Sequence, residues 1–96
     1  MPTSRLPSAD IVARLASVDS WQLELGELVR TFSFADFLAA LAFVNEVGGL
    51  AEAAGHHPDI DIRYNKVRLA LVTHDVGGIS AKDFELAAKI NGLQKS

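Results

Sequence analysis

The sequence predicts an α+β domain: a four-stranded antiparallel sheet with helices packed on one face, in the order α-β-β-α-β-β-α. Three observations carry this prediction. Two pairs of short stretches alternate apolar and polar residues, as half-buried strands do. Three stretches with apolar residues three and four apart bracket those pairs, as amphipathic helices would. The chain has only 96 residues, which is one core, so residues 1–96 are read as a single domain.

The first helix is expected from about Ala9 to Ser17, capped by Ser8, with Ile11 and Leu15 recurring on one side and Val12 and Ala16 beside them. A hairpin follows. In Trp21 to Leu25 the apolar residues alternate with Gln22 and Glu24; after Gly26, the Leu28 to Phe34 stretch alternates again. Trp21 is expected in the core.

Ser33 and Asp36 have the spacing of a capping box, and Phe37, Leu41, Val44 and Val47 continue at helical spacing. The main helix should therefore run to about Ala54 and stop at Gly55, a residue that tolerates the left-handed conformation common there. After Pro58, Ile60, Ile62 and Tyr64 alternate with charged residues, Asn65 marks a turn, and Val67, Leu69 and Leu71 form the fourth strand. His74 should end that strand. Gly77 and Gly78 break the pattern, Ser80 and Asp83 make a second box-like start, and Phe84, Ala87, Ala88 and Ile90 mark a last helix ending near Gly92. The exposed sheet face or a sheet edge is expected to need cover, which self-association would provide.

Composition narrows the chemistry. With no cysteine there is no disulfide, thiolate zinc site, thiolate-held iron–sulfur cluster or cysteine nucleophile. A formal net charge of -3 offers no broad positive field for phosphate backbones, so direct nucleic-acid binding is not expected. The N-terminal MPTSRLPSAD lacks the apolar core of a signal peptide, and the longest apolar run, Phe37 to Val44, is far short of the ~20 residues that cross a bilayer. A cytoplasmic protein without a membrane partner is expected.

All three histidines, His56, His57 and His74, fall within 19 residues, near Glu52, Asp75 and Asp83. Glu52 sits in the last turn of the main helix, where the helix dipole disfavours a carboxylate by ~0.3 to 1 kcal/mol. Pro58 restricts His57 to extended backbone, so the two adjacent imidazoles should project differently. Each residue also has an ordinary explanation: a histidine after a helix stop complements the dipole, Glu52 suits a solvated surface, and Asp83 suits the third position of the Ser80 capping box. A zinc site of His56, His57, His74 and Glu52 has suitable donors, but His-His-Pro lacks the geometry of two histidines one helical turn apart. No nucleophile elbow and no P-loop spacing is present.

Taken together, Glu52-x3-His56-His57-Pro58-x5-Tyr64-x9-His74-x8-Asp83 resembles the pterin-4a-carbinolamine dehydratases. The stretch Phe32 to Phe37, then Tyr64-Asn65-Lys66-Val67, Thr73-His74-Asp75 and Gly78-Ile79-Ser80, is similar to further elements of that family, and the resemblance covers about residues 20 to 92. Two positions depart from it: Ile60 stands where many members carry Trp, and Asp59 replaces the usual Glu.

The resemblance implies dehydration of a 4a-hydroxytetrahydropterin to the quinonoid dihydropterin, following an aromatic amino acid hydroxylase in tetrahydrobiopterin recycling. It implies His56, His57 and His74 as the catalytic residues, and Glu52, Pro58, Tyr64, Thr73 and Asp83 as substrate-binding ones. A homodimer or homotetramer is implied too, with a non-catalytic pterin-binding or protein-interaction module of the same fold as the alternative. The chemistry suits the residue types. A carbinolamine loses its hydroxyl when the neighbouring nitrogen lone pair pushes, so the protein has only to protonate the departing oxygen and accept the nitrogen's proton. Imidazoles with an ordinary pKa of about 6.5 do both near neutrality, with no metal or cofactor expected.

Overall fold

A computed structural model describes residues 4–93. Helix α1 spans Ser8–Leu15, strands β1 and β2 span Gln22–Glu24 and Glu27–Ser33, and helix α2 spans Phe37–Ala54. Strands β3 (Asp59–Arg63) and β4 (Lys66–Leu71), a short 3-10 turn at His74–Val76 and helix α3 (Ala81–Gly92) complete the chain. This is the expected α-β-β-α-β-β-α order. All three strand pairings are antiparallel, and the strands lie in the order β1-β2-β4-β3.

One face of the sheet forms the core. Leu28 and Phe32 of β2, and Val67, Leu69 and Leu71 of β4, meet Trp21, Ala40, Phe43, Val47 and Ala51, with Phe84, Leu86, Ala87 and Ile90 of α3 closing the other side. The core stripe of α2 is therefore Ala40-Phe43-Val47-Ala51, rotated from the Phe37-Leu41-Val44-Val47 line. The small alanines let the helix lie close to the sheet while Phe43 packs at a tilt of 44° against Phe32, with ring centroids 4.6 Å apart. Phe37 and Leu38 are left 43% and 74% exposed.

The caps differ from two expectations. Pro7, not Ser8, precedes α1, and no side chain caps that helix. Asp36, not Ser33, caps α2: its Oδ1 accepts from Ala39 N at 2.8 Å. Ser33 is unavailable because it still pairs with Lys66 as the last residue of β2, and Phe34 N donates to Asn65 O at 2.9 Å just beyond it. The β3–β4 turn also departs from its reading. Its left-handed residue is Tyr64 (φ 53°), while Asn65 fastens the turn by donating from Nδ2 to Phe34 O at 2.8 Å.

The second sheet face is polar rather than apolar. Register places Thr31, Arg68 and Asp61 side by side, with Ser33, Lys66 and Arg63 next to them. Arg68 reaches Glu24 at 3.4 Å, and Arg63 reaches Asp61 at 3.1 Å. Val29 and Ala70, paired with each other, are the buried apolar residues on this side. The face is suited to water, so the apolar excess lies on the outer side of α2.

Candidate active site

The α2 stop builds the first part of the site. Gly55 takes φ 63°, its N–H donates to Glu52 O at 3.1 Å, and His56 N–H donates to Ala51 O at 3.1 Å. These bonds close the helix in a Schellman arrangement and fix where His56 leaves it. Pro58 then holds the segment extended on its way into β3.

The second part comes from the β4–α3 connection. His74 lies beyond β4, as the first residue of the 3-10 turn rather than the end of the strand. Thr73 N donates to Gly78 O at 2.9 Å, pinching the loop at its base. Ser80 and Asp83 form a complete capping box at the start of α3.

The two parts meet through two carboxylate–imidazole pairs of different character. His56 Nε2 lies 2.5 Å from Asp83 Oδ1, with the imidazole 11% exposed and the carboxylate fully buried. His57 Nε2 lies 2.9 Å from Glu52 Oε1, with side chains 63% and 83% exposed. One pair is fixed inside the fold; the other stands in water.

His56, His57 and His74 line one cavity of about 250 Å³ between these parts, a space of the order of a bicyclic heterocycle. Asp75 and Lys82 add a carboxylate and an ammonium to its wall; the sequence pointed to Asp75 only as a neighbour of His74, and Lys82 was not singled out. The signal for Lys82 was its place between Ser80 and Asp83, where a helix's first turn faces the preceding loop. A larger cleft of about 660 Å³ lies between Arg5–Ser8, Ile11, Leu23 and the Gly77–Ile79 loop, and among the described residues no histidine or carboxylate lines it. Chemistry therefore favours the smaller space.

The other expected residues divide. Glu52 reaches the site only through His57, and Pro58 is half-buried beside it. Thr73 lines the cavity although it is almost fully buried, and its Oγ1 donates at 2.9 Å to Oδ2 of Asp83, which is buried behind the wall. Tyr64 is not brought to the site: it sits at the β3–β4 turn, the opposite end of the strands from His57 and Thr73, and is 67% exposed. Among the described residues, no three His, Asp or Glu side chains are grouped so as to hold a metal ion.

Fold and site together define a small α+β domain in which three imidazoles, two of them paired with carboxylates, share one cavity. The chain belongs to the pterin 4 alpha carbinolamine dehydratase family, a family of hydro-lyases, whose model matches residues 4–93. A relative from Chloroflexus aurantiacus is 63% identical over 89 residues, covering 93% of this chain and 96% of its own, and carries the provisional name pterin-4-alpha-carbinolamine dehydratase. One from Acidobacterium capsulatum, with the same provisional name, is 57% identical over 90 residues, covering 94% of this chain and 98% of its own. The crystal structure of a transcriptional coactivator/pterin dehydratase from Brucella melitensis superposes with a TM-score of 0.91 at 31% identity, over 96% of this chain and all of the other. A pterin dehydratase-like protein described as a RuBisCO assembly factor of the alpha-carboxysome superposes with a TM-score of 0.64 at 25% identity, over 79% of this chain and 88% of the other.

Proposed function

We propose that the protein dehydrates a 4a-hydroxytetrahydropterin to the quinonoid dihydropterin by histidine general acid/base catalysis, serving tetrahydropterin recycling in the cytoplasm after an aromatic amino acid hydroxylase. The observation that carries this reading is the meeting of His56, His57 and His74 on one cavity, with two of the three imidazoles held by carboxylates at Nε2. In the reaction the C4a–O bond breaks and its electrons leave with the oxygen. The adjacent nitrogen's lone pair forms the new C=N bond. One proton completes the departing water, and the nitrogen's own proton passes to a base. Two imidazoles of opposite protonation state suffice, each supplying a factor of ~10² to 10⁴. His57, in water, can exchange protons with solvent between turnovers; His74 faces the same cavity from the 3-10 turn. The test is turnover: the protein speeds decay of a chemically made 4a-hydroxytetrahydropterin, and equal rates with and without it would sink the reading.

Self-association through α2 completes the proposal. This helix has only two charged residues, Glu46 and Glu52, and its outer line runs Leu38, Leu41, Asn45, Gly48 and Gly49. A Cβ at Gly48 or Gly49 would meet nothing within 4 Å among the described residues. Glycine inside a helix costs roughly 0.5–1 kcal/mol against alanine, and no contact among the described residues accounts for either one. A second copy's α2, lying close along this line, would use both the exposed leucine and the missing side chains.

The alternative, a non-catalytic interaction module of the same fold, draws on the RuBisCO assembly factor among the structural neighbours. The buried His56–Asp83 pair argues for catalysis, because a docking surface has no use for it.

A further inference from the structure

Asp83 has every acceptor site directed inward. Its Oδ2 accepts from Ser80 N–H at 2.9 Å and from Thr73 Oγ1 at 2.9 Å, and its Oδ1 faces His56 Nε2. The two hydroxyls run in one direction. Ser80 Oγ accepts from Lys82 N–H at 3.3 Å, and Thr73 spends its hydrogen on Asp83, so Ser80 donates to Thr73 across their 2.7 Å contact. The backbone donors of Ser80 and Lys82 cannot be reversed, which fixes the polarity of the whole buried chain. Asp83 is fully buried and so cannot touch a substrate in the cavity. It can act only through His56.

We infer that Asp83 is a positioning residue that keeps a proton on His56 Nε2 and thereby dedicates Nδ1 to proton exchange with the substrate. Among the described residues, no protein group is bonded to His56 Nδ1, and the ring lines the cavity. When Nδ1 takes the proton, the imidazolium forms against a carboxylate already in place, as with the buried aspartate of hydrolase triads. The same carboxylate caps α3, so the helix start and the tautomer of His56 are set by one side chain. This inference rests on the dehydratase reading for its kinetic arm only.

The experiment has two arms. Long-range proton–nitrogen correlation spectra of the histidine-labelled wild-type protein, with pH raised until the His56 ring becomes neutral, should show Nδ1 losing the proton; loss from Nε2 overturns the inference. This arm needs neither turnover nor a variant. In Asp83→Asn, the amide must present its oxygen to Ser80 N–H and hence its NH2 to His56, so the neutral ring should carry its proton on Nδ1. The kcat should fall ~10² to 10⁴-fold, with KM within a few-fold of wild type. Placed on His56→Ala, the same substitution should cost less than about 2-fold. A purely structural role would cost the same factor in both backgrounds and leave the tautomer unmoved, which overturns the inference. Absence of turnover in the wild type, with Nδ1 as the titrating atom, would strike the dehydratase reading and not the tautomer assignment.

Discussion

His57 Nε2 sits 2.9 Å from Glu52 Oε1, bridging the helix stop from the residue after it to the last turn before it. The pair stands in water, so its charge–charge energy is screened and its worth lies in orienting the imidazole. Glu52→Gln should lower kcat only about 3- to 10-fold at saturating pterin, because the amide oxygen can still accept from Nε2. Steady-state kinetics check this; a loss above ~100-fold would place Glu52 on the substrate itself.

The Trp21 indole N–H and Arg30 Nη1 share one acceptor, Asn91 Oδ1, at 2.7 and 2.6 Å, while Asn91 Nδ2 donates to Asp19 O at 3.2 Å. This joins the end of α3 to the first hairpin. Arg30 also lies over the Phe32 ring, 4.2 Å from its centroid, and its buried Nε has no hydrogen-bond partner among the described residues. Burial lowers the guanidinium's pKa, with Asp19 opposing. Asn91→Ala removes the shared acceptor and should destabilise by ~1–3 kcal/mol in urea unfolding at unchanged m-value.

Gly78 lies under Arg5: a Cβ there would come within 2.5 Å of Arg5 Cδ and 2.9 Å of Cγ. The N-terminal segment is tied to this loop by Leu6 N–H donating to Ile79 O at 2.8 Å. Gly78→Ala should therefore lower stability by roughly 1 kcal/mol and speed amide exchange at Leu6 and Thr73. Arg5→Ala combined with it should restore most of the loss, since the clash is with a side chain rather than with backbone.

The outer side of α2 yields a prediction about assembly. Leu38→Glu should shift a dimer or tetramer to monomer in light scattering, with the circular dichroism spectrum unchanged, because Leu38 contributes little to its own core. Retention of the assembly would place the contact elsewhere.

Most of the fold was legible because its signals are local. Alternation around Gly26 and Asn65 marked both hairpins, and Ser80 with Asp83 marked α3. The errors were tertiary in origin. The rotation of α2 depends on alanines fitting against the sheet, which apolar spacing alone does not rank, and Ser33 lost the cap because strand pairing reached it first. In the site, spacing brought forward the three histidines, Glu52 and Asp83. It could not show that Asp83 is buried behind His56, that Tyr64 lies at the far end of the hairpin, or that Lys82 lines the cavity, because each depends on how β4 and α3 pack against the end of α2.

The most direct test of the account follows the decay of chemically made 4a-hydroxytetrahydropterin by stopped-flow absorbance, comparing wild type with a variant carrying His56→Ala, His57→Ala and His74→Ala. The account predicts that wild type accelerates the decay and that the folded triple variant returns it to the rate in buffer. A triple variant as fast as wild type, or a wild type no faster than buffer, would contradict it.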